Sequence, residues 1–561
     1  MCGIFCLIKK DKLNEKDLKH CRKKTKELFH RGPDNYGEWV NDNIFIGHQR
    51  LSINDLSEKA NQPFVKNGKI LVFNGEIYNF RELKKDNKIS KYKFETTCDT
   101  EVFFYLLTEY GIDGLKKVNG MFAFIFYDGE KLIVGNDCFS EKTLFYNRNS
   151  ERMFFSSELK TFTDIDEKNF EKNNLFSYLT FGHLINGNTF YKNTKKLNNS
   201  EVLIINKHLD LKITKYFEIS NFYLENKSNK KIPSTDDYYE LNEIIRNNII
   251  QKNIGDVNKA LLLSGGLDSS TVYSTLSKTI KQKIKTITFI NPDENYADLD
   301  KLIDNENIDN EKIQTNNIEL SHSKIINLFA QPHNSFTSLA IKKICSVLKS
   351  KNIKVALTGL GGDELFLGYN KYYDFLSLKF KLKKFLYFGI KNIDLPLLCK
   401  SKNYWKFNKN EKYKEWVIAN FKRNKYLSSI ENLVIDELNL YMPNSRCVTN
   451  DIASMSESIE LRSCFLDLDI LKWILKFDLN EVQKLGRKNI LKKYYYDLHK
   501  GQTKLSNKKS PFRVMPSNEN LSHKSQHKDI FNSIFHDIKF DETIKSKENL
   551  NALELLRIFN N

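Results

Sequence analysis

One junction constrains this chain more than any other feature. The apolar run Ala260-Leu261-Leu262-Leu263 breaks into Ser264-Gly265-Gly266-Leu267-Asp268-Ser269-Ser270 and passes into a helix-like stretch, Thr271-Val272-Tyr273-Ser274. A buried strand, a small-residue turn and a helix start make a cradle for an anion. Glycines let the backbone approach phosphate oxygens, and the first N–H groups of the helix point at them. The spacing is not that of a Walker A loop, because no Gly-Lys-Ser/Thr follows. A second Gly-rich segment, Val355-Ala356-Leu357-Thr358-Gly359-Leu360-Gly361-Gly362-Asp363-Glu364, also follows a strand-like run. Its carboxylates suit Mg²⁺ carried on a triphosphate, or alternatively the first turn of a helix.

The other end of the chain carries different chemistry. Removal of Met1 would leave Cys2 with a thiol and a free α-amine on one framework. An amine of pKa roughly 7.7–8.0 is placed to take a proton from a thiol near roughly 8.5, so the residue is nucleophile and base together. Short polar clusters follow beside apolar runs: His30-Arg31-Gly32-Pro33-Asp34, His48-Gln49-Arg50-Leu51-Ser52-Ile53, Phe73-Asn74-Gly75-Glu76-Ile77-Tyr78-Asn79 and Cys98-Asp99-Thr100-Glu101. The Asn74-Gly75 turn can aim an amide side chain and a backbone N–H at one point, as a tetrahedral oxyanion requires. Arg50 suits a carboxylate, and Glu76 and Asp99 suit an ammonium group. A ligand with both groups is an amino acid. Each cluster also has a plain structural reading: a surface ion pair for Arg50, a hairpin turn for Asn74-Gly75, a helix N-cap for Asp99.

In order, Met1-Cys2-Gly3-Ile4-Phe5, Arg-Gly-Pro-Asp, Arg-Leu-Ser-Ile, Asn-Gly-Glu-Ile-Tyr-Asn and Gly120-Met121-Phe122-Ala123-Phe124 resemble the class II glutamine amidotransferase domain. That resemblance implies an N-terminal-nucleophile hydrolase fold, two stacked antiparallel sheets between helical layers (αββα). It further implies glutamine hydrolysis by Cys2, an oxyanion hole of Asn74 and Gly75, and glutamine held by Arg50, Asn74, Glu76 and Asp99. The Ser-Gly-Gly-Leu-Asp-Ser-Ser string resembles the pyrophosphate loop of the ATP pyrophosphatase family. Its implications are a doubly wound parallel sheet, ATP held by residues 263–270 with Thr358 and Gly359, and Mg²⁺ at Asp268 and Asp363.

Together with Asp451-Ile452-Ala453-Ser454-Met455, Glu460-Leu461-Arg462 and Phe465-Leu466-Asp467, these segments resemble the glutamine-hydrolysing asparagine synthetase family. That implies ATP-dependent adenylation of a carboxylate and internal transfer of ammonia to it. Within Gly486-Arg487-Lys488-Asn489-Ile490-Leu491-Lys492, Lys488 corresponds to the lysine near the adenylate. The expected organisation is α/β and α+β: a glutaminase domain over 2–215, a linker over 216–237, and a synthetase domain over 238–561 with a helical C-terminal part. The Asn-rich stretch near 298–323 has no clear place in it, and residues 468–477 read as a periodic helix.

Some positions depart from that family. Leu360 stands where an acidic residue is common, Gln331 where one precedes the proline, Asn136 and Ser140 where Arg and Gly are usual, and Cys464 in place of proline. Because Leu360 cannot pair with a lysine, Lys488 is expected to find its counter-charge on the substrate or triphosphate. The expected acceptor is aspartate, with another carboxylate, such as a uronic acid in surface-polysaccharide biosynthesis, as the alternative. A lower alternative is a nucleic-acid-binding or tRNA-modifying protein with the same loop.

The formal charge of +18 is dispersed, with no dense basic block, which argues against nucleic acid. Nine irregularly spaced cysteines without a Cys-x-x-Cys pair argue against a disulfide framework or zinc. With no signal-peptide pattern and no run of eighteen apolar residues, residues 385–399 included, the expectation is a cytoplasmic protein with small-molecule partners: glutamine, ATP and a carboxylic acid. The oligomeric state, homodimer or otherwise, cannot be read from the sequence.

Overall fold

The computed structural model describes residues 2–226, 232–279, 281, 283–290, 296–314, 318, 320–374, 411–420, 424–500, 554–556 and 559. The apolar run 385–399 lies outside them.

Residues 2–215 carry two six-stranded antiparallel sheets, in the order Thr194–Lys196, Phe145–Arg148, Arg152–Ser156, Gly3–Lys9, Ile44–Arg50, Asn35–Val40 and the order Leu211–Lys215, Glu201–Ile205, Leu132–Asn136, Gly120–Tyr127, Lys69–Ile77, Phe64–Lys66. Side-chain alternation explains the stacking. Along Gly3–Lys9, Ile4, Cys6 and Ile8 enter the core between the sheets, while Phe5 and Leu7 face the outer layer. Along Lys69–Ile77, Ile70 and Val72 meet that same core, while Leu71 and Phe73 turn outward to the helix Asp99–Tyr110, whose Val102, Phe103 and Leu106 cover them. Both faces of both strands are thus apolar, which only a four-layer arrangement can bury.

The second half carries a five-stranded parallel sheet ordered Asn310–Gln314, Lys285–Ile290, Lys259–Leu262, Val355–Thr358, Glu460–Ser463. In chain order this is third, second, first, fourth, fifth. Strand order reverses between Lys259–Leu262 and Val355–Thr358, and such a switch point opens a crevice at the carboxyl ends of the strands. Both Gly-rich segments begin there.

The stretch near 298–323 supplies the helix Ala297–Asn305, the edge strand Asn310–Gln314 and the start of the helix His322–Phe329. Its strand, Asn-Glu-Lys-Ile-Gln, is polar because an edge must not invite another chain. The helix expected at 468–477 runs Leu468–Ile474. Within the expected linker, the helix Ile219–Asn226 buries Ile219 and Tyr223 in the main core, and Ser234 caps the long helix Thr235–Lys252. Among the described residues, no helix is long and apolar enough to cross a membrane.

Candidate functional site

Cys2 sits at the start of the strand Gly3–Lys9, and Asn74 lies near the end of Lys69–Ile77 in the facing sheet. The sandwich brings them together: the Cys2 backbone nitrogen donates to Asn74 Oδ1 at 2.9 Å. That bond fixes the amide orientation and leaves Asn74 Nδ2 buried with no hydrogen-bond partner among the described residues. A wholly buried donor left unsatisfied costs about 1–3 kcal/mol, and here it lies beside the nucleophile. Gly75 has φ +152°, and a Cβ there would stand 2.0 Å from the Met121 carbonyl oxygen, so no other residue fits the turn. Burial pushes the Cys2 thiol above its ordinary range, while the amino terminus, the Leu51 backbone and the Arg50 guanidinium pull it down.

Arg50 is buried, and its two terminal nitrogens donate to the Ser57, Asn54 and Asp55 carbonyls and to Asn61 Oδ1. It braces the loop that follows it, so a ligand carboxylate has to use Nε or displace a loop carbonyl. Glu76 Oε2 accepts from Asn54 Nδ2 at 2.5 Å, and Oε1 faces Arg462 Nη2 at 3.2 Å. Asp99 opens its helix and accepts from the Ile77 amide at 2.8 Å, next to Glu76. Burial pushes both carboxyls above the ordinary range. Cys2, Asn74 and Gly75 therefore meet, the buried Arg50 lies close enough to act on the Cys2 thiol, and Glu76 and Asp99 lie side by side at the end of the same strand.

The second cluster lies at the switch point. Ser264, Gly265 and Gly266 are accessible on the loop after Lys259–Leu262, as are Leu267 and Asp268 in the first turn of the helix Leu267–Thr279, whereas Leu263, Ser269 and Ser270 are buried. Thr358 ends the next strand, and Gly359 is pressed so closely on the first loop that a Cβ would stand 2.7 Å from Asp268 Cβ. A Cβ on Gly362 would come within 2.5 Å of Asp268 Oδ1. The two Gly-rich segments thus form one surface.

Lys488 crosses that surface. Its Nζ lies 2.7 and 2.6 Å from the two Asp268 oxygens and 2.6 Å from Asp363 Oδ1. This corrects the expectation drawn from Leu360: the counter-charge of Lys488 comes from Asp268 and Asp363 rather than from a substrate. Lys488 is buried, with φ +50°, just before the helix Asn489–Leu498. Two carboxylates converging on one cation suit Mg²⁺, which uses one or two protein carboxylates plus phosphate oxygens and water. Among the described residues, no three His, Cys, Asp or Glu side chains gather into an all-protein metal cage.

Contacts between the halves supply functional residues that the sequence left without a role. Arg31, wholly buried, donates to the Cys2 carbonyl (3.1 Å), to Glu158 (3.1 Å) and to Asp451 of the second half (2.9 Å). Arg462 touches Glu76, and Asn119 donates to Asp467 at 2.6 Å. The departing positions also find local explanations. Ser140 has φ +53°, a conformation in which Gly is easier, and its hydroxyl accepts from Asn136 and Lys196. Gln331 Oε1 accepts from the Phe190 amide and ties the halves together. The Cys464 carbonyl accepts from Asn248, a main-chain contact that does not depend on the side chain.

Comparison with known proteins agrees with this division. Residues 1–217 match the family model described as a glutamine amidotransferase domain, and residues 240–557 match the one described as asparagine synthase. A Methanocaldococcus jannaschii protein named "putative asparagine synthetase (glutamine-hydrolyzing) 2" is 31% identical over 69% of this chain and 79% of its own. Asparagine synthetase (glutamine-hydrolyzing) 1 of Bacillus subtilis is 27% identical over 83% of this chain and 79% of its own. Amidase chry2 of Gibberella zeae is 27% identical over 62% and 54%.

Proposed function

The chain belongs to the asparagine synthase family and is an ATP-dependent amidoligase of the glutamine-hydrolysing type, and from that premise we propose that it converts aspartate to asparagine. In this reading Cys2, freed of Met1, gives its thiol proton to its own α-amine and attacks the glutamine amide carbon. Asn74 Nδ2 and the Gly75 N–H stabilise the oxyanion, Arg50 takes the glutamine carboxylate, and Glu76 and Asp99 take its ammonium. Ammonia leaves, and water releases glutamate from the thioester.

In the second domain, taken as 238–561 after a connection at 216–237, residues 263–270 with Thr358 and Gly359 hold ATP. The β-carboxylate of aspartate attacks the α-phosphorus, pyrophosphate departs, and ammonia displaces AMP from the acyl adenylate. Mg²⁺, held by Asp268 and Asp363 with the phosphates, would neutralise phosphate charge when bound. Lys488, already aimed at that place, supplies positive charge to the reacting phosphate. The whole cycle belongs in the cytoplasm, where ATP and glutamine are abundant.

The observation that carries the proposal is a shared strand. Glu460–Ser463 places Arg462 against Glu76, and just beyond it Cys464 N donates to the Thr358 carbonyl at 2.9 Å and Phe465 N to the Leu360 carbonyl at 3.2 Å. One short element therefore touches both sites. Ammonia is a nucleophile only when unprotonated, so sites joined through a buried interface suit its transfer. A uronic acid or other carboxylate remains the second reading, favoured by Leu360. That argument weakens because Asp268 and Asp363 already serve Lys488. Incubation with ATP, Mg²⁺, glutamine and aspartate, followed by direct assay of asparagine and pyrophosphate, tests the reading. Equal amounts of both products support it; glutamate release with neither product rejects aspartate as acceptor.

A further inference from the structure

We propose that Arg462 is a positioning residue that couples occupancy of the glutamine site to the nucleotide site, by exchanging its contact with Glu76 for the substrate's ammonium group. The proposal rests on the reading of Glu76 as an ammonium-binding residue.

Arg462 is wholly buried, and its donors are unequally used. Nε donates to Glu460 at 2.6 Å, and Nη1 donates to the Lys252 carbonyl at 2.8 Å and to the Ile254 carbonyl. Nη2 lies 3.2 Å from Glu76 Oε1, yet among the described residues it makes no well-directed hydrogen bond. The link to Glu76 is therefore the weakest of the four and the one most easily surrendered. Glu76 Oε2 is already engaged by Asn54, so Oε1, the oxygen that faces Arg462, is the less occupied acceptor for an arriving ammonium group. Three carboxylates, Glu76, Asp99 and Glu460, surround this single guanidinium. The cluster can accept a second cation, but Arg462 and the ammonium then repel each other across Glu76. Arg462 retreats onto Glu460, on its own strand.

That strand has little slack toward the nucleotide site. Ser463 pairs with Thr358 in parallel register, and the next two amides donate to the Thr358 and Leu360 carbonyls. A Cβ on Gly361 would stand 2.7 Å from the Leu466 nitrogen, so no methyl-sized gap separates the two segments. A small movement at Arg462 must be passed to the loop that carries Asp363, because close-packed interiors transmit strain rather than absorb it. Coupling is reciprocal, so ATP must change glutamine affinity by the same factor.

The test uses the full chain with Cys2→Ala, which binds glutamine without consuming it, and measures the ATP dissociation constant calorimetrically with and without saturating glutamine. A change of at least about fivefold, the lower end of typical allosteric coupling, is expected. It should fall to near unity in Cys2→Ala/Arg462→Lys, whose compact ammonium cannot span Glu460 and Glu76 together. The same loss is expected in Cys2→Ala/Glu460→Gln/Arg462→Gln, which leaves no unpaired charge from the Glu460–Arg462 pair. No coupling in Cys2→Ala, or full coupling in either Arg462 variant, overturns the proposal. Cys2→Ala/Glu76→Gln separates the premise: unchanged glutamine affinity there refutes Glu76 as the ammonium site, whereas weakened glutamine binding with coupling intact in the Arg462 variants refutes only the role of Arg462.

Discussion

The two sites are prepared in opposite ways. At the amino-terminal site one donor is held without a partner among the described residues: Asn74 Nδ2 is buried and unspent, fixed by the bond from the Cys2 nitrogen to the other end of the same amide. At the nucleotide site the charges satisfy one another, with Lys488 bonded to Asp268 and Asp363 before any ligand arrives. The first arrangement carries its cost in the resting fold and reorganises little during reaction, the condition under which oxyanion donors act best. The second is stable at rest, and its ligands have to trade places with an existing ion pair. A rigid sandwich supports the first. The second lies where two loops meet, the place in a doubly wound sheet where side chains can be exchanged.

The largest effect should come from removing the nucleophile. Cys2→Ala is expected to lower glutamate release at least about 10⁴-fold, while amidation from added ammonium salt stays within a few-fold, read by pyrophosphate release. Loss of both activities would break the contrast by showing that the sites are not separately assembled. Next, Asn74→Ala should reduce glutamine-dependent kcat by about 10²–10³-fold, the size of one oxyanion donor, with a smaller change in KM. A pure KM effect would mean that Nδ2 binds substrate rather than the transition state.

Lys488→Ala is expected to lower ATP-dependent amidation at least about a hundredfold with either nitrogen source, whereas Leu360→Ala has a much smaller effect. Equal losses in the two would return the argument to Leu360.

The smallest effect concerns the interface between the sites. Burial raises the Glu141 carboxyl from 4.5 to about 7. A carboxyl whose folded pKa is raised favours the protonated fold, so stability declines as pH rises from about 4.5 to about 7 and stays lowered above it. Glu141→Gln should therefore melt a few degrees above the parent at pH 8 and level with it below about pH 4.5. Thermal unfolding across that range checks the sign, and a constant offset at all pH values would place the effect elsewhere.

What the sequence disclosed depended on the distance between partners. Asn74-Gly75 and the Ser264 to Ser270 string are local patterns, in which neighbouring residues make the turn and the anion cradle, so they were legible without a fold. The layered sheets were expected from the resemblance to glutamine amidotransferases, and the alternation of Ile4, Cys6 and Ile8 against Phe5 and Leu7 gives their physical reason once the two cores are seen. Arg31 and Arg462 were not legible as functional residues, because their meaning lies in partners several hundred positions away: Arg31 with Asp451, Arg462 with Glu76. Lys488 was placed near the adenylate by resemblance, but its counter-ions were misjudged, since only the folded loops show Asp268 and Asp363 closing on it. The edge strand Asn310–Gln314 escaped notice because an edge strand is polar enough to read as a loop.

Glu460–Ser463 is the terminal strand of its sheet, yet all four of its residues are buried. The cover comes in part from the 252–254 segment, which takes Arg462, and in part from the glutaminase half, which presents Glu76. Seen this way, the amino-terminal domain is also a guard on a sheet margin: a synthetase half expressed without it would keep the Arg462 bonds to Glu460 and to the 252–254 carbonyls but uncover the side of the strand that faces Glu76, and self-association would be its natural fate.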